Sequence, residues 1–287
     1  MPTFDTPQPI TATVEISAGA VRVIASERAD TVVEVRPRDE SRPHDVKAAE
    51  QVRVDFKNGT LVVTSRRGFS FPRRGAVVVD IALPSGSRLD ASAASAKITA
   101  DGEYGDCKFA IASGDLAVGS VLGNLKADIA SGGITVHAAK DSVSVSTASG
   151  DAAFGELDGD VKFRAASGSL VVGRLRGNLS AQTASGDVTV SAAVRGNISA
   201  QTSSGEVAVG IAEGTAAQLD LRTRSGAPSR PWTTTHDSTV AVPPTESSTV
   251  AHTSRRGSRS TSACTSAQRK PPAGGSVEYR PRACLVT

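Results

Sequence analysis

From residue 88 onward, apolar and polar positions alternate in short runs that recur with a fixed period. Positions 18 residues apart fall into columns, of which the first holds Leu89, Cys107, Leu125, Val143, Val161 and Leu179 and the second Ala91, Phe109, Ala127, Val145, Phe163 and Ala181. A third column, two residues further on, holds Ala93, Ile111, Ile129, Thr147, Ala165 and Thr183. Two more run from Ile98 through Leu116 and Ile134 to Val207, and from Ala100 through Val118 and Val136 to Val209. The positions between them are mostly polar, as in Lys108, Lys126, Ser144 and Lys162. Strict alternation over five to seven residues is the mark of a strand with one buried face.

Each repeat has two breaks in the alternation. Small-Ser-Gly corners stand at Ser113-Gly114, Ser131-Gly132, Ser149-Gly150, Ser167-Gly168, Ser185-Gly186, Ser204-Gly205 and Ser225-Gly226, with serine spacings of 18, 18, 18, 18, 19 and 21. About halfway between them lie Gly105-Asp106, Gly123-Asn124, Lys140-Asp141, Gly159-Asp160, Gly177-Asn178 and Gly196-Asn197. Gly, Asn and Asp accept the backbone angles of sharp bends. Columns that keep their register over so many corners make each repeat one rung of a β-solenoid, with a perimeter of about 60 Å at ~3.3 Å per extended residue. A narrow coil of this kind holds only medium aliphatic side chains, with an Ala beside an occasional Phe.

Residues 10–83 contain extended runs without the period: Ile10–Ile16, Val21–Ile24, Val32–Val35, Val52–Phe56, Leu61–Thr64 and Val77–Leu83. Lys57-Asn58-Gly59-Thr60 carries a strong hairpin signal, and Asp45–Val52 reads as a short helical turn. The fold expected is therefore all-β. A single-stranded, parallel β-helix-like solenoid of 18-residue rungs, about 7–8 of them, occupies residues 88–226, behind an N-terminal antiparallel β cap at residues 1–87. The cap has a physical purpose, since an uncovered first rung would present an unpaired edge. Residues 227–287 break the pattern: 27 of these 61 are Ser, Thr or Pro and the only Leu is Leu285, too little to build a core. Two readings of this Ser/Thr/Pro/Arg-rich stretch stand open, a disordered interaction tail and a product of a frame shift after about codon 226.

Composition and charge narrow the function. Aromatic residues make up 3% of the 287, in keeping with a thin core. The net charge of +3 resides in the tail, because residues 1–90 carry 13 Lys+Arg against 12 Asp+Glu, residues 91–226 carry 11 against 14, and residues 227–287 carry 8 against 3. The body therefore offers no basic groove for nucleic acid. No apolar run reaches the ~18 residues of a membrane helix. Residues 1–10 have no basic and apolar leader, so a reducing cytosol is the expected compartment. Cys107, Cys264 and Cys284 are odd in number and far apart, which implies neither a disulfide framework nor a zinc site.

Candidate sites were weighed against plain structural roles. Asp115, Asp151 and Asp187 sit at corners of alternate rungs, but the paired glycines and half-turn aspartates of calcium-binding repeats are absent, so they read as solvated corners. Arg174, Arg176 and Arg195, with Lys162 and Arg164, form a candidate basic patch lacking aromatic platforms. The loop Arg66–Gly75 places Phe69 and Phe71 among four arginines and reads first as a long hairpin connection. His44, His137, His236 and His252 have no triad or metal spacing around them, and no phosphate or dinucleotide fingerprint occurs. Thr147, Thr183, Thr202 and Thr223 fall in an inward column, against an ice-binding array. No catalytic, cofactor-binding or metal-binding residue is assigned, and no enzyme activity, cofactor, membrane partner or small-molecule substrate is expected.

The stretches Pro9–Glu15, Asp30–Pro37, Asp45–Gln51 and Leu83–Ser87, followed by Ser-Gly-Asp rungs, resemble a bacterial family of β-solenoid proteins described as candidate adhesins and common in actinobacteria. The resemblance spans residues 3 to about 226 and implies the same stack, with no catalytic residues to carry over. In that family the stack usually continues to the C-terminus, whereas here it stops. The expected function is a non-enzymatic scaffold or protein-interaction module, partner unknown, which self-associates through its exposed end. The alternative is an adhesin-like protein binding glycans or cell-surface proteins.

Overall fold

The computed structural model describes residues 2–65, 75–215, 217–223 and 275–281, the last two as backbone. Its strands begin with β1 (Thr3–Asp5), β2 (Thr11–Ser26) and β3 (Asp30–Pro37), followed by the helix α1 (Pro43–Glu50). Then come β4 (Val52–Lys57), β5 (Thr60–Ser65), β6 (Val77–Pro84) and the long β7 (Arg88–Tyr104). The repeats supply β8 (Cys107–Ser113), β9 (Leu116–Val121), β10 (Leu125–Ser131), β11 (Ile134–Ala139), β12 (Val143–Ser149), β13 (Ala152–Leu157), β14 (Val161–Ser167), β15 (Leu170–Arg176), β16 (Leu179–Ser185), β17 (Val188–Arg195), β18 (Ile198–Ser204) and β19 (Val207–Ile211). Last are β20 (Ala217–Thr223) and β21 (Gly275–Pro281).

The sequence columns are the parallel ladders of the solenoid. Leu125 lies beside Cys107 and Val143, and Ile134 beside Leu116 and Ala152, each partner 18 residues away. Even-numbered strands from β8 to β18 stack into one sheet and odd-numbered strands from β9 to β19 into a second. The coil makes about seven turns of about 18 residues. Between the sheets runs a single file of buried Val, Leu, Ile, Ala and three Phe side chains. Each fully buried Val or Leu contributes ~1.5–3 kcal/mol, so stability is distributed rung by rung.

The Ser-Gly corners exist because successive rungs nearly touch there. Gly132 has φ +130°, and a Cβ on it would stand 2.0 Å from the carbonyl oxygen of Gly114 on the rung before. The same clash recurs at Gly168, Gly186 and Gly205. On alternate rungs, beside Gly114, Gly150 and Gly186, an aspartate reaches the next rung's backbone: the N–H groups of Gly133, Ser169 and Glu206 donate to Asp115, Asp151 and Asp187 Oδ1 at 3.0, 2.8 and 2.7 Å. The opposite corner repeats the device, with Asn124 N–H donating to Asp106 Oδ1 at 2.9 Å and Asn197 N–H to Asn178 Oδ1 at 2.8 Å. Foremost, the Asn124 backbone N–H holds the Asp106 carboxyl below its usual range. The corner aspartates thus bind the next rung's backbone.

The N-terminal region is antiparallel in part. β4 pairs with β5 through the expected turn, where Asn58 and Gly59 have φ 49° and 72°, and β3 pairs antiparallel with β1 and β6. β2, however, lies parallel to β7 along both halves, Ala12 beside Leu89 and Val21 beside Ile98, with β5 and β6 parallel on its other side. The coil therefore begins at residue 11, and the expected boundary at residue 88 is no break in the sheets. Buried Tyr104 joins these rungs, donating its hydroxyl to the carbonyls of Val23 (3.0 Å) and Asp101 (3.1 Å). Burial, above all, holds that phenol proton well above its usual pKa. The helical turn expected at Asp45–Val52 is α1, displaced two residues toward the N-terminus.

The inward threonines test the core's polar accounting. Thr183 Oγ1 donates to the Ser185 carbonyl at 3.2 Å and Thr202 Oγ1 to that of Gly186 at 3.1 Å, whereas buried Thr147 Oγ1 has no partner among the described residues. An orphaned buried hydroxyl costs about 1–3 kcal/mol. Thr147→Val should therefore raise the stability measured by urea unfolding by about 1 kcal/mol, and Thr202→Val should not. Equal effects at both positions would reject the assignment.

Candidate functional site

Most of the sequence's candidate groups are dispersed by the fold. Lys162 and Arg164 stand on the outer face of the first sheet, while Arg174, Arg176 and Arg195 belong to the second. Arg176 is adjacent to Arg195 and paired with Asp158 at 3.3 Å. The five do not make one patch. Cys107 faces the core, where burial first of all pushes its thiol up to about 12, leaving a poor nucleophile. Cys264, Cys284, His236, His252 and residues 66–74 lie outside the described residues, as do 224–274 and 282–287 of the tail. Among the described residues no three His, Cys, Asp or Glu side chains are grouped to hold a metal, and no helix is long and apolar enough to cross a membrane.

A groove of about 1040 Å³ lies between α1 and the outer face of the first sheet. Its floor is small because the outward residues beside the corner are Ala94, Ala112, Ala130 and Ala148, and its wall is formed by His44, Lys47 and Gln51. Glu15 and Asp128 also line it, so its charges are mixed, and Ser65 and Gly75 flank it on either side of residues 66–74.

Among the described residues, the C-terminal end of the stack is incompletely paired. β18 is covered by β21, which runs antiparallel with Tyr279 opposite Ile198 and Val277 opposite Ala200, and β20 pairs with the far side of β21. A strand from the expected disordered tail thus sits where the period calls for Leu219 and Leu221. β19 by contrast pairs only with β17 among the described residues. Its Val207, Val209 and Ile211 are half-buried, although Val188, Val190 and Ala193 one rung earlier are fully buried. Asn197 Oδ1, at the position whose counterpart on Asn178 accepts an N–H from the next rung, is buried without a partner among the described residues. The chemistry on offer is backbone pairing and apolar burial.

The two outer faces of the coil differ in charge. The first sheet displays Asp90, Lys108, Lys126, Asp128, Lys162 and Arg164. The second displays one column of Thr99, Ala117, Thr135, Ala153, Val171, Thr189 and Ala208. The column beside it runs Asp101, Gly119, His137, Gly155, Gly173, Ser191 and Gly210. Val171 is 45% exposed, the most of any large apolar side chain among the described residues. A hollow of about 440 Å³ lies around His137 because Gly119 and Gly155 on the flanking rungs have no side chains. Gly155 is demanded by the backbone, as a Cβ there would meet the His137 carbonyl oxygen at 2.3 Å. Sequence reasoning missed this face, though its signal was a column of outward positions, from Thr99 to Ala208, without a charged residue.

The family model described as Toastrack DUF4097 matches residues 12–253. Among solved structures, the chain is similar to a candidate adhesin of Bacteroides fragilis, at 11% identity over 72% of this chain and 95% of that one, with a TM-score of 0.34. A candidate adhesin of Parabacteroides merdae gives 12%, 73%, 93% and 0.35 in the same terms. A candidate lipid-binding protein of Parabacteroides distasonis gives 10%, 73%, 94% and 0.29. No match was found among curated proteins.

Proposed function

The chain belongs to the Toastrack DUF4097 family, and from that membership we propose that it is a non-enzymatic β-solenoid interaction module that works without a cofactor and self-associates through its C-terminal end. The observation that carries the reading is the half-finished last rung. β19 has one neighbour among the described residues, and its apolar side chains are only half-buried. The N-terminal end is blunted by the antiparallel strands β3 and β4, which leaves the C-terminal end as the one with an open strand edge among the described residues. Two such ends meeting about a two-fold axis close into a dimer, where head-to-tail contacts would grow a filament.

Light scattering coupled to size exclusion tests this on the full chain. Val207→Lys with Val209→Lys is expected to halve the mass of the assembly while circular dichroism stays β-rich, because two lysines oppose pairing at that edge. A mass that is the same for variant and parent at every concentration overturns the end contact.

A further inference from the structure

We infer that the outer face of the second sheet, along its uncharged column from Thr99 to Ala208, binds a second copy of the chain, face to face, about a two-fold axis parallel to the strands through the Ala153 rung. Such an axis reverses the order of rungs and keeps the position along each strand. The Thr135 rung of one copy then lies over the Val171 rung of the other, and the Ala153 rungs lie over each other.

Size complementarity favours this pairing. In the first column Thr99 meets Ala208, Ala117 meets Thr189, Thr135 meets Val171 and Ala153 meets Ala153, so no two β-branched residues coincide except at the Val171 contact. In the second column His137 meets Gly173 and Gly119 meets Ser191, so every side chain larger than hydrogen faces a glycine. The exposed Val171 is aimed at the rung that holds the His137 hollow. Two-fold contacts require self-complementarity of this kind.

Glu156 and Arg174 flank the face on adjacent rungs. The axis sets Glu156 opposite its own mate and each Arg174 opposite Ala138, one rung from both Glu156 side chains, so this rim carries a cluster of two cations and two anions. On the opposite rim Asp151 would approach its own mate, but its carboxylate accepts the Ser169 N–H at 2.8 Å along the corner. Six rung spacings by about five residues give a patch of about 29 by 17 Å, so two faces remove about 1,000 Å² from water, at the lower limit for a specific interface. A reversible, concentration-dependent dimer follows.

The contact is separate from the end contact proposed above, and the test keeps them apart. Sedimentation velocity is measured over a range of concentrations on the full chain carrying Val207→Lys and Val209→Lys, with Ala153→Arg, Val171→Ala or Ser144→Arg added in turn. The parent is expected to dimerise. Ala153→Arg should weaken dimerisation about a hundredfold or more by forcing two long side chains of like charge against each other at the axis. Val171→Ala should weaken it less, and Ser144→Arg, on the other face, should leave it unchanged. A monomeric parent, a dimer indifferent to Ala153→Arg, or one broken by Ser144→Arg overturns the inference. Ala153 is exposed, so its replacement leaves the core intact, and an unchanged dichroism spectrum verifies that.

Discussion

Gly132→Ala is expected to destabilise the stack by about 4 kcal/mol or more, one of the largest effects available from a single methyl group. Two penalties coincide at this position. The φ of +130° is one that an L side chain rarely adopts, and the added Cβ would lie 2.0 Å from the Gly114 carbonyl oxygen and 2.7 Å from its carbon. Relief cannot come from a rotamer, because the obstacle is the backbone of the neighbouring rung. Separating the two rungs would lengthen the ladder bonds that pair β10 with β8 and Gly114 N–H with the Ser131 carbonyl. Urea unfolding followed by circular dichroism reads the effect. The control is Ser131→Ala, one residue away and exposed, which should change stability by less than ~0.5 kcal/mol. Comparable stabilities for the two variants would show that the corners relax more freely than this geometry allows.

Phe163→Ala should cost about 3–5 kcal/mol, and the more informative result is its partial rescue. Phe163 is fully buried, with Val145 on the preceding rung and Ala181 on the following one. The phenyl ring fits because Ala181 leaves it room. Ala181→Phe alone would crowd two rings into adjacent rungs and cost about 1–3 kcal/mol by overpacking. Combined with Phe163→Ala, the same substitution moves the ring one rung along, next to Ala200 on its far side, and part of the loss should return. Additive losses in the double variant would mean that side-chain volume is not shared between neighbouring rungs, contrary to the nearest-neighbour character of a solenoid.

Much of the fold was legible because the coil translates its geometry into a period. Leu125 falls under Val143 in the structure for the reason that it falls 18 residues before it in the chain. The turn at Asn58-Gly59 was legible for a local reason, two residues that accept positive φ between alternating strands. The first rung was hidden by an insertion, since β3, α1, β4, β5 and β6 intervene between β2 and its neighbour β7. Its signal was nonetheless present. Ile16-Ser17-Ala18-Gly19-Ala20-Val21-Arg22-Val23 repeats the spacing of Ile111-Ala112-Ser113-Gly114-Asp115-Leu116-Ala117-Val118, apolar at both ends and glycine at the corner. β21 escaped because it lies in a stretch whose composition cannot form a core by itself, and it acquires structure from β18 and β20. As for sites, the sequence placed the corner acids correctly at the corners. It could not show that Lys162 and Arg174 lie on different sheets, because that depends on which way each half-rung turns.

The corner acceptors carry an implication for how such a molecule changes over generations. Successive rungs rest against one another's glycine carbonyls, and an Asp on alternate Ser-Gly corners receives one N–H from the rung that follows. Duplicating or deleting one 18-residue unit between equivalent corners would therefore alter the length by a single step of ~4.8 Å and keep the ladder register on either side. The longer repeat that carries Gly196 already absorbs an extra residue as a register shift between Val190 and Ala193. The chain behaves as a ruler graduated in strand spacings, so the span between its two ends is a quantised property, adjustable by recombination within the gene and unaffected by most substitutions along its faces.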